Sequence, residues 1–330
     1  MKKFSMLAAL VIVLFAACNK NKSTEQQAIV PEKETINTAA VRECAAYDVL
    51  EEKLRKDPSI QQRIDAIEEF TTRYVQNPSA FRLVGSDLEV PVVVNVLYSS
   101  PSQDVSDAQI ASQIAVLNAD FGGTNADLFK TATYDNVKFK STSTLPKIKF
   151  VLAGTVRKLT TISSWGTNDA MKRSSTGGID ATSPTTTLNM WVCNMGGGIL
   201  GYAQFPNTGT SETDGVVCDN NAFGTTGTAT APFNKGRTAT HEVGHYFNLR
   251  HIWGDKRCGT DGVGDTPAHT GANYGCPRAG ITSGCTGRPV MMTMNYMDYT
   301  DDACMYMFSI GQVSRMNATW AEGGPRASLR

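Results

Sequence analysis

The stretch HEVGHYFNLRH at residues 241–251 contains three of the four histidines in this 330-residue chain. If the stretch is helical, His241 and His245 lie four residues apart on one face, so both imidazoles can reach a single ion. Glu242 lies one residue further round, beside the open side of that ion. His251 is out of helical phase and joins the other two only if the helix ends and the chain turns back. The stretch therefore predicts a zinc site with a carboxylate base beside it.

The turn that would bring His251 back depends on Asn248. Stopping a helix there normally needs a residue at positive φ, which is the usual role of glycine, and Asn is the next most tolerant residue. Ordinary surface or core histidines are the alternative explanation, but two histidines around a glutamate at this spacing are rare by chance. Another class of zinc site takes a downstream glutamate as third ligand. Because the only glutamate after Glu242 is Glu322, near the C-terminus, His251 is the better third ligand.

The overall composition excludes several classes of protein. Lys plus Arg and Asp plus Glu both number 31, so the chain has no surplus of positive charge with which to neutralise nucleic-acid phosphates. The hydrophobic fraction of 41% is enough to fill a core and excludes global disorder. The length suggests about two structural units. The 29 glycines, with long Thr, Ser and Asn stretches, indicate a loop-rich body.

The N-terminus predicts export. Residues 1–18 combine an early pair of lysines with an apolar run at 7–17 that is too short to cross a bilayer. The run ends at Cys18 in a pattern that resembles a bacterial lipobox, in which this cysteine is lipidated. An ordinary signal peptide is the alternative, because Phe15 stands where that pattern usually has leucine. Residues 19–40 form a polar linker, and export permits disulfides.

The rest of the chain alternates helix and strand signals. Residues 41–75 predict two amphipathic helices interrupted at Asp57-Pro58. Two capping boxes open further helices, at Ser106 with Gln109 and at Ser309 with Gln312. Strands are predicted at residues 90–98, 148–152, 188–193 and 215–218. This order predicts an α+β fold, a mixed twisted sheet with helices against it. Residues 254–300, rich in Gly, Asp and Cys, predict loops held by cross-links.

Four motifs together resemble the pappalysin family of metzincin metalloproteases, including its bacterial cytophagalysin and ulilysin-like members. They are HEVGHYFNLRHIWG at 241–254, GDTP at 264–267, NYMDYTDDAC at 295–304 and GILGYAQFP at 198–206. Asn248, in place of the glycine of HExxHxxGxxH, is the one departure in the signature. The resemblance covers the chain from about residue 90 to the final helix. It implies a metzincin-type zinc protease fold with an active-site helix and a loop-rich C-terminal half that contains a methionine turn.

The resemblance also implies roles for individual residues. The three histidines would hold zinc, and Glu242 would act as the general base. Met297 would form the methionine turn beneath the metal, and Tyr299, at the family's spacing after it, would hydrogen-bond the developing oxyanion. Residues 198–205 are the candidate edge strand that pairs with an extended substrate.

Six of the eight cysteines lie in the body of the chain and permit 15 pairings. The resemblance implies two bridges, Cys258–Cys285 and Cys276–Cys304. It leaves Cys193 and Cys218 as the remaining pair.

The loop after the zinc motif offers hard oxygen ligands. The resemblance suggests calcium there, and crowded carboxylates repel each other unless a cation sits among them. The candidate calcium ligands are Asp255, Asp261, Asp265 and Thr266. A solvated acidic turn is the alternative, because no complete calcium-loop motif is present. His269 is interpreted as structural.

Cys44 lies at the start of the predicted helical segment. In the family a pro-segment cysteine can cap the zinc as a cysteine switch, and thiolate is an excellent zinc ligand. A buried thiol with no role is the alternative. With the switch, residues 1–18 are the lipoprotein signal peptide, 19–85 the linker and helical propeptide, and 86–330 the catalytic domain. Activation would cut between residues 78 and 86 and release the enzyme from a lipid that stays on the propeptide.

These observations predict a zinc metalloendopeptidase, exported as a monomeric zymogen. We expect polypeptide substrates, inhibition by its own propeptide, and a location in the periplasm or on the outer membrane, followed by release. A silent zinc-binding surface module and a zinc amidase acting on non-protein substrates are alternatives; the intact Glu242 argues against the first. A preference for Arg or Lys just after the cut is left open, because Ala303 precedes Cys304 while Asp301 and Asp302 lie slightly earlier.

Overall fold

A computed structural model describes residues 41–81 and 87–329. The predicted signal peptide, the lipidation site Cys18 and the polar linker to residue 40 lie outside the described residues. Residues 82–86 of the predicted activation stretch also lie outside them. In the part of the chain that is described, no helix combines the length and apolar character needed to cross a membrane.

The N-terminal segment forms two helices, α1 at Ala46–Lys56 and α2 at Ser59–Gln76. They separate at the predicted break, where Asp57 leaves the helical conformation and Pro58 lacks the N–H that a continuous helix needs. Two short helices bury too little surface to be stable alone, so each packs on the body. α1 buries Val49 and Leu50 against one face of the sheet, while α2 packs on the C-terminal helix through Tyr74.

Five strands form one twisted sheet in the spatial order β2-β1-β3-β5-β4. The strands are β1 at Leu88–Tyr98, β2 at Ile148–Leu159, β3 at Leu188–Cys193, β4 at Gly201–Ala203 and β5 at Val216–Asp219. The first four in spatial order are parallel, whereas β4 is antiparallel at the edge. The predicted mixed sheet is confirmed. β2 continues past the predicted residue 152, because this edge strand keeps its pairing with β1 after its apolar run has ended.

Three further helices cover the other face of the sheet, α3 at Asp107–Gly122, α4 at Arg237–Tyr246 and α5 at Ile310–Trp320. Both predicted capping sites form: the side chain of Ser106 accepts from the Gln109 N–H, and Ser309 and Gln312 make a complete capping box. The central strands are therefore buried on both faces, which explains the nearly continuous valine run of β1, whereas much of the edge strand β2 is exposed. Short 3₁₀ helices occur at Pro78–Ala80, Pro101–Gln103, Ala170–Lys172, Ser174–Thr176, Ser211–Thr213 and Asn220–Ala222.

The predicted loop-rich half extends from the end of α4 to the start of α5 and contains no helix or strand within this fully described stretch. Disulfides Cys258–Cys285 and Cys276–Cys304 hold it, with Cα–Cα distances of 5.6 and 5.5 Å. Both bridges match the expected pairing. Each closes a loop of nearly thirty residues, and this adds to the stability that the buried methionines and aromatic side chains of this half provide.

The expected third bridge, Cys193–Cys218, is wrong. In the parallel pairing of β3 with β5, Cys193 is opposite Asp219, and Cys218 is opposite Val192. Because neighbouring residues of a strand point to opposite faces, the two sulfurs lie on opposite sides of the sheet. Both cysteines are buried and free, Cys218 in the core beneath α3 and α4 and Cys193 in the core beneath α1.

This register makes a prediction about the thiols. Alkylation of the unfolded chain without reductant should label Cys193 and Cys218 and leave the four cysteines of the two bridges unlabelled. Peptide mapping by mass spectrometry measures the outcome for each residue. A linked peptide containing both Cys193 and Cys218 would contradict the register.

Candidate metal and catalytic site

Helix α4 is the element that positions the histidine motif. All ten of its residues are buried, so it runs through the core rather than over the surface. Its N-terminal end is fixed by Asp302, a buried carboxylate whose Oδ2 accepts hydrogen bonds from the N–H groups of Lys235 and Arg237 at 2.7 and 3.2 Å. A negative charge at this end also complements the helix dipole. The backbone of the motif is thus held before any ligand binds.

The helix ends at the turn predicted from Asn248. Asn248 has φ of 68°, and the following Leu249 N–H donates to the Gly244 carbonyl at 2.9 Å. This left-handed turn replaces the expected glycine with the next most tolerant residue. It reverses the chain after His245 and brings His251 to the other two imidazoles, as the sequence predicts.

The three imidazoles converge through their Nε2 atoms. His245 Nε2 lies 3.1 Å from Nε2 of His241 and 3.1 Å from Nε2 of His251. The opposite ring nitrogens have acceptors: Nδ1 of His241 faces the Tyr296 carbonyl at 2.7 Å, and Nδ1 of His245 faces the Leu249 carbonyl at 2.8 Å. Each Nδ1 therefore carries the proton, and the Nε2 lone pairs point at one another.

This arrangement fits a zinc ion. Converging lone pairs repel unless a cation lies between them, and three imidazole nitrogens with an open fourth position are a typical catalytic zinc donor set. Burial, reinforced by the neighbouring imidazoles, holds the pKa of His241 and His245 well below the usual range, so both imidazoles are neutral, as zinc coordination requires. The carboxylate of Asp255 accepts from Nδ1 of His251, and Trp253 stacks on that ring at 4.4 Å.

Glu242 lies beside the imidazoles and is fully buried. Burial raises its pKa to about 8, while Cys44 and Arg42 oppose the rise. The edge strand passes close to this carboxylate because residue 201 is glycine. A Cβ there would lie 3.1 Å from Glu242 Oε1 and 2.7 Å from the carbonyl of Val217. The sequence analysis missed this requirement, although Gly201 is part of the GILGYAQFP motif.

Cys44 lies in the centre of the site. Its thiol donates to Glu242 Oε2 at 3.3 Å, and its sulfur and one nitrogen of each of the three histidines lie within 4.8 Å of one another. Among the described residues this is the one group of three or more His, Cys, Asp or Glu side chains with the spacing of a metal site. The adjoining backbone pairs with the edge strand: the Ala45 N–H donates to the Gly201 carbonyl at 3.0 Å. The bridge between Cys44 and Gly201 is parallel.

Arg42 fills a closed pocket next to the histidines. Its Nη2 lies 2.5 Å from Asp302 Oδ1, its Nη1 donates to the Thr238 hydroxyl at 3.0 Å, and its Nε donates to the Thr300 carbonyl at 3.2 Å. The guanidinium also lies over the ring of Phe233. Both charged side chains are almost completely buried, so the pocket is built for a guanidinium. Sequence analysis singled out neither Arg42 nor its use of Asp302.

The predicted methionine turn lies directly beneath α4. Met297 is buried, and a Cβ on Gly244 would come within 2.5 Å of its sulfur. Glycine inside this helix therefore permits the close contact. Tyr299, two residues later, donates its hydroxyl to the Cys44 carbonyl at 3.1 Å, and its ring lies 5.0 Å from that of His251. Burial raises the pKa of Tyr299, so its hydroxyl stays protonated as a donor.

The four side chains expected to bind calcium are not gathered into one site. The Asp255 carboxylate accepts a hydrogen bond from Nδ1 of His251. Asp261 accepts from the Thr266 hydroxyl at 2.8 Å, and burial raises its pKa to about 6. The carboxylate of Asp265 accepts from the Ser309 hydroxyl and from the Gly311 N–H at 2.6 and 2.8 Å. It thus anchors the start of α5. The acidic residues are separated because each satisfies a different buried donor.

His269 is also outside the metal cluster. It is buried, and its Nε2 accepts from the Met292 N–H at 2.9 Å, which agrees with the structural role expected for it.

Known proteins resemble the chain in both sequence and structure. The family described as pregnancy-associated plasma protein-A matches residues 180–321. An extracellular metalloprotease of Verticillium alfalfae is 34% identical over 66% of this chain and 70% of its own length. An extracellular metalloprotease of Arthroderma gypseum is 31% identical over 73% of this chain and 75% of its own length.

Two solved structures from Tannerella forsythia are also similar. Mature mirolysin in complex with a cleaved peptide is 44% identical, with a TM-score of 0.70, over 74% of this chain and 96% of that chain. A mutant of promirolysin is 41% identical, with a TM-score of 0.77, over 87% of this chain and 97% of that chain.

The contact between Gly244 and Met297 makes a prediction about stability. Gly244→Ala places a methyl group against the sulfur, and overpacking of this kind costs about 1–3 kcal/mol, in spite of alanine's higher helix propensity. Denaturant unfolding measures the loss. Gly264→Ala is the matched control, because a Cβ there meets open space. Equal stability of the two variants would contradict the close packing of the methionine turn.

Proposed function

The chain belongs to the pappalysin family, described as pregnancy-associated plasma protein-A, and is a zinc metalloendopeptidase; from this premise we propose that it is made as a latent enzyme. Residues 19–85 are the linker and propeptide, and residues 86–330 are the catalytic domain. The observation that carries this proposal is the position of the Cys44 thiol among the three histidines and Glu242.

We propose that His241, His245 and His251 hold the zinc ion. When bound, zinc supplies a Lewis acid that makes water more acidic and polarises a carbonyl. Glu242 accepts the proton of the attacking water and passes it to the leaving amine. The Tyr299 hydroxyl donates to the oxygen of the reacting carbonyl, as it does to the carbonyl of Cys44.

Latency follows from the occupied cleft. Cys44 occupies the open side of the histidine cluster and hydrogen-bonds the Glu242 carboxylate. The attacking water would need both of these positions. The flanking backbone occupies the edge of β4, where an extended substrate would otherwise pair. Thiolate is a strong zinc ligand, so we infer that Cys44 binds the metal in the latent chain as a cysteine switch.

The pocket of Arg42 supports a preference for a basic residue just after the cut. Asp302 offers one buried carboxylate beside the histidines, with the Thr238 hydroxyl and the Thr300 carbonyl as further acceptors. Removal of the propeptide leaves this acid without its partner, and an arginine side chain of a substrate restores the lost pairing.

A substrate in that pocket runs in the opposite direction to the propeptide. Along the propeptide, Arg42 precedes Cys44, whereas the basic residue of a substrate would follow the bond placed at the metal. The propeptide runs parallel to β4, so the substrate is antiparallel to it. The reversed direction keeps the peptide bonds near Cys44 from adopting the reactive orientation.

The preference for a basic residue after the cut also indicates where within residues 78–86 activation occurs. Arg82 is the basic residue within the predicted stretch 78–86. We propose that the chain cuts itself, or another copy, on the N-terminal side of Arg82, so that residues 82–85 stay attached to the catalytic domain after activation.

We further propose that the chain is an exported monomer. The relatives named extracellular metalloproteases support export, as does the signal pattern at residues 1–18. Lipid on Cys18 would hold the latent chain at the outer membrane, on its periplasmic or its outer side, until activation separates the propeptide from the enzyme.

Calcium remains a separate hypothesis that rests on the family resemblance alone. A calcium-specific chelator should then lower the thermal unfolding temperature of the zinc-loaded chain. If calcium and the chelator leave that temperature unchanged, calcium has no structural role.

The Asp302 pocket makes a prediction about specificity. In peptides that differ only in the residue after the cut, Arg should be favoured over Leu in kcat/KM. Asp302→Asn should reduce that ratio by about tenfold, because the charge-assisted hydrogen bonds are lost. Asp301→Asn, on the more exposed neighbour, is the matched control. Equal cleavage of Arg and Leu peptides by the unmodified enzyme would remove the preference.

The zymogen makes a second prediction. Zinc-loaded residues 19–330 should process themselves to a new N-terminus at Arg82 and then digest casein. Glu242→Ala should lower both rates by about 10²- to 10⁴-fold. Cys44→Ser should speed the first cut, because the thiol ligand is lost. N-terminal sequencing and a casein assay follow the reactions. Zinc-loaded chain that cuts neither itself nor casein, even after the N-terminal segment is removed, would support the silent-module or amidase functions instead.

A further inference from the structure

A second buried charge of the catalytic domain is paired by the propeptide. Glu68 of α2 contacts Arg315 of α5 through both carboxylate oxygens, with Nη1 of the arginine 2.9 Å from Oε2 and Nη2 bonded to Oε1. Arg250 lies 3.3 Å from Oε1, and the side-chain amide of Asn248 donates to the same oxygen at 3.4 Å. Three donors of the catalytic domain thus converge on one carboxylate.

The arrangement is built into the catalytic domain rather than made by the propeptide. Arg315 has a side chain that is only 4% exposed, and its Nε donates to the Asn248 carbonyl at 2.8 Å. This bond fixes the Nε side of the guanidinium and leaves Nη1 and Nη2 facing Glu68. An arginine cannot lose its charge, so departure of α2 leaves a fixed cation that has lost its ion-pair partner.

These residues adjoin the catalytic centre. Asn248 and Arg250 belong to the turn between the histidines His245 and His251. Phe205, two residues after the edge strand, has its ring 5.1 Å from that of His245. Between this wall and the propeptide helices is a cavity of about 190 Å³, lined by Phe205 and Pro206 on one side and by Ile64 and Glu68 on the other. A chain lying along β4 passes this wall.

We propose that Arg315, Arg250 and Asn248 form a carboxylate-binding subsite of the mature enzyme, which takes an acidic side chain of a bound polypeptide. Glu68 stands in for that side chain in the latent chain. The inference rests on the proposed function, because α2 must leave and the substrate must run antiparallel to β4. Because Phe205 and Pro206 follow the C-terminal end of β4 and the substrate runs antiparallel to this strand, the subsite serves residues on the N-terminal side of the cut.

The donor geometry favours a carboxylate. The two parallel N–H groups of a guanidinium match two oxygens that lie in one plane. The remaining donors, Arg250 and Asn248, both contact Oε1 of Glu68. A planar two-oxygen group thus satisfies all the donors. Arg315 also holds the turn whose Leu249 carbonyl orients His245, so ligand binding here leaves the zinc ligands in place.

The first test uses the full chain, residues 19–330, with Glu242→Ala to prevent cleavage. Glu68→Ala vacates the subsite while Ile60, Ile67 and Tyr74 still hold α2 in place. Acetate should then raise the thermal unfolding temperature of this variant in a saturable manner. The exposed neighbour provides the matched control, Glu69→Ala, which should show no such rise. Acetamide and sodium chloride at equal concentration separate carboxylate binding from general solute and salt effects.

Equal shifts with acetate and acetamide, or in both variants, would overturn the proposal. Because this experiment needs no catalysis, it reports on the subsite even if the enzyme is inactive.

The second test uses wild-type enzyme activated by its own processing. A peptide set moves one Glu, and in parallel one Gln, through each position on the N-terminal side of a fixed cut. At one position the Glu peptide should have kcat/KM about tenfold higher. Arg250→Gln should bring that ratio towards one, and the Glu-to-Gln ratio is the readout because it is independent of any change in overall activity. Efficient cleavage with equal rates for Glu and Gln everywhere would overturn the subsite alone; no cleavage of any peptide would instead contradict the proposed function.

Discussion

The convergence of three imidazole lone pairs on one point is the constraint on which the rest of the structure depends. It requires a helix that ends directly after its second histidine, and Asn248 in a left-handed conformation provides that stop. It also requires an acceptor behind each ring, which the Tyr296 and Leu249 carbonyls and the Asp255 carboxylate provide. A core that surrounds α4 on all sides, with Met297 beneath it, keeps these groups in position.

The N-terminal segment carries side chains that are chemically complementary to buried groups of the catalytic domain. The guanidinium of Arg42 meets the buried Asp302, and the thiol of Cys44 meets Glu242 and the histidines. The carboxylate of Glu68 meets Arg315. Asp302, Glu242 and Arg315 therefore each have a partner of opposite sign or a hydrogen-bond donor in the latent chain. In this account the same groups later bind substrate, so inhibition and recognition use one set of contacts.

Local signals in the sequence could predict much of this arrangement. The helix motif, both capping boxes, the break at Asp57-Pro58 and most strand positions depend on residues close in the chain. The pairing of Arg42 with Asp302 spans 260 residues, and nothing near either residue indicates it. The bridge Cys193–Cys218 failed because strand register decides which face a side chain occupies. The calcium ligands stay a prediction, because a carboxylate looks the same in sequence whether it binds a cation or a hydrogen-bond donor of the protein.

The central claim is that the three histidines hold zinc and that Cys44 completes its coordination in the latent chain. The zinc X-ray absorption spectrum of residues 19–330 with Glu242→Ala measures this coordination directly. The account predicts three nitrogens at about 2.0–2.1 Å and one sulfur at about 2.3 Å, with the sulfur replaced by nitrogen or oxygen when Cys44→Ser is added. A spectrum without sulfur, or one that Cys44→Ser leaves unchanged, would contradict it.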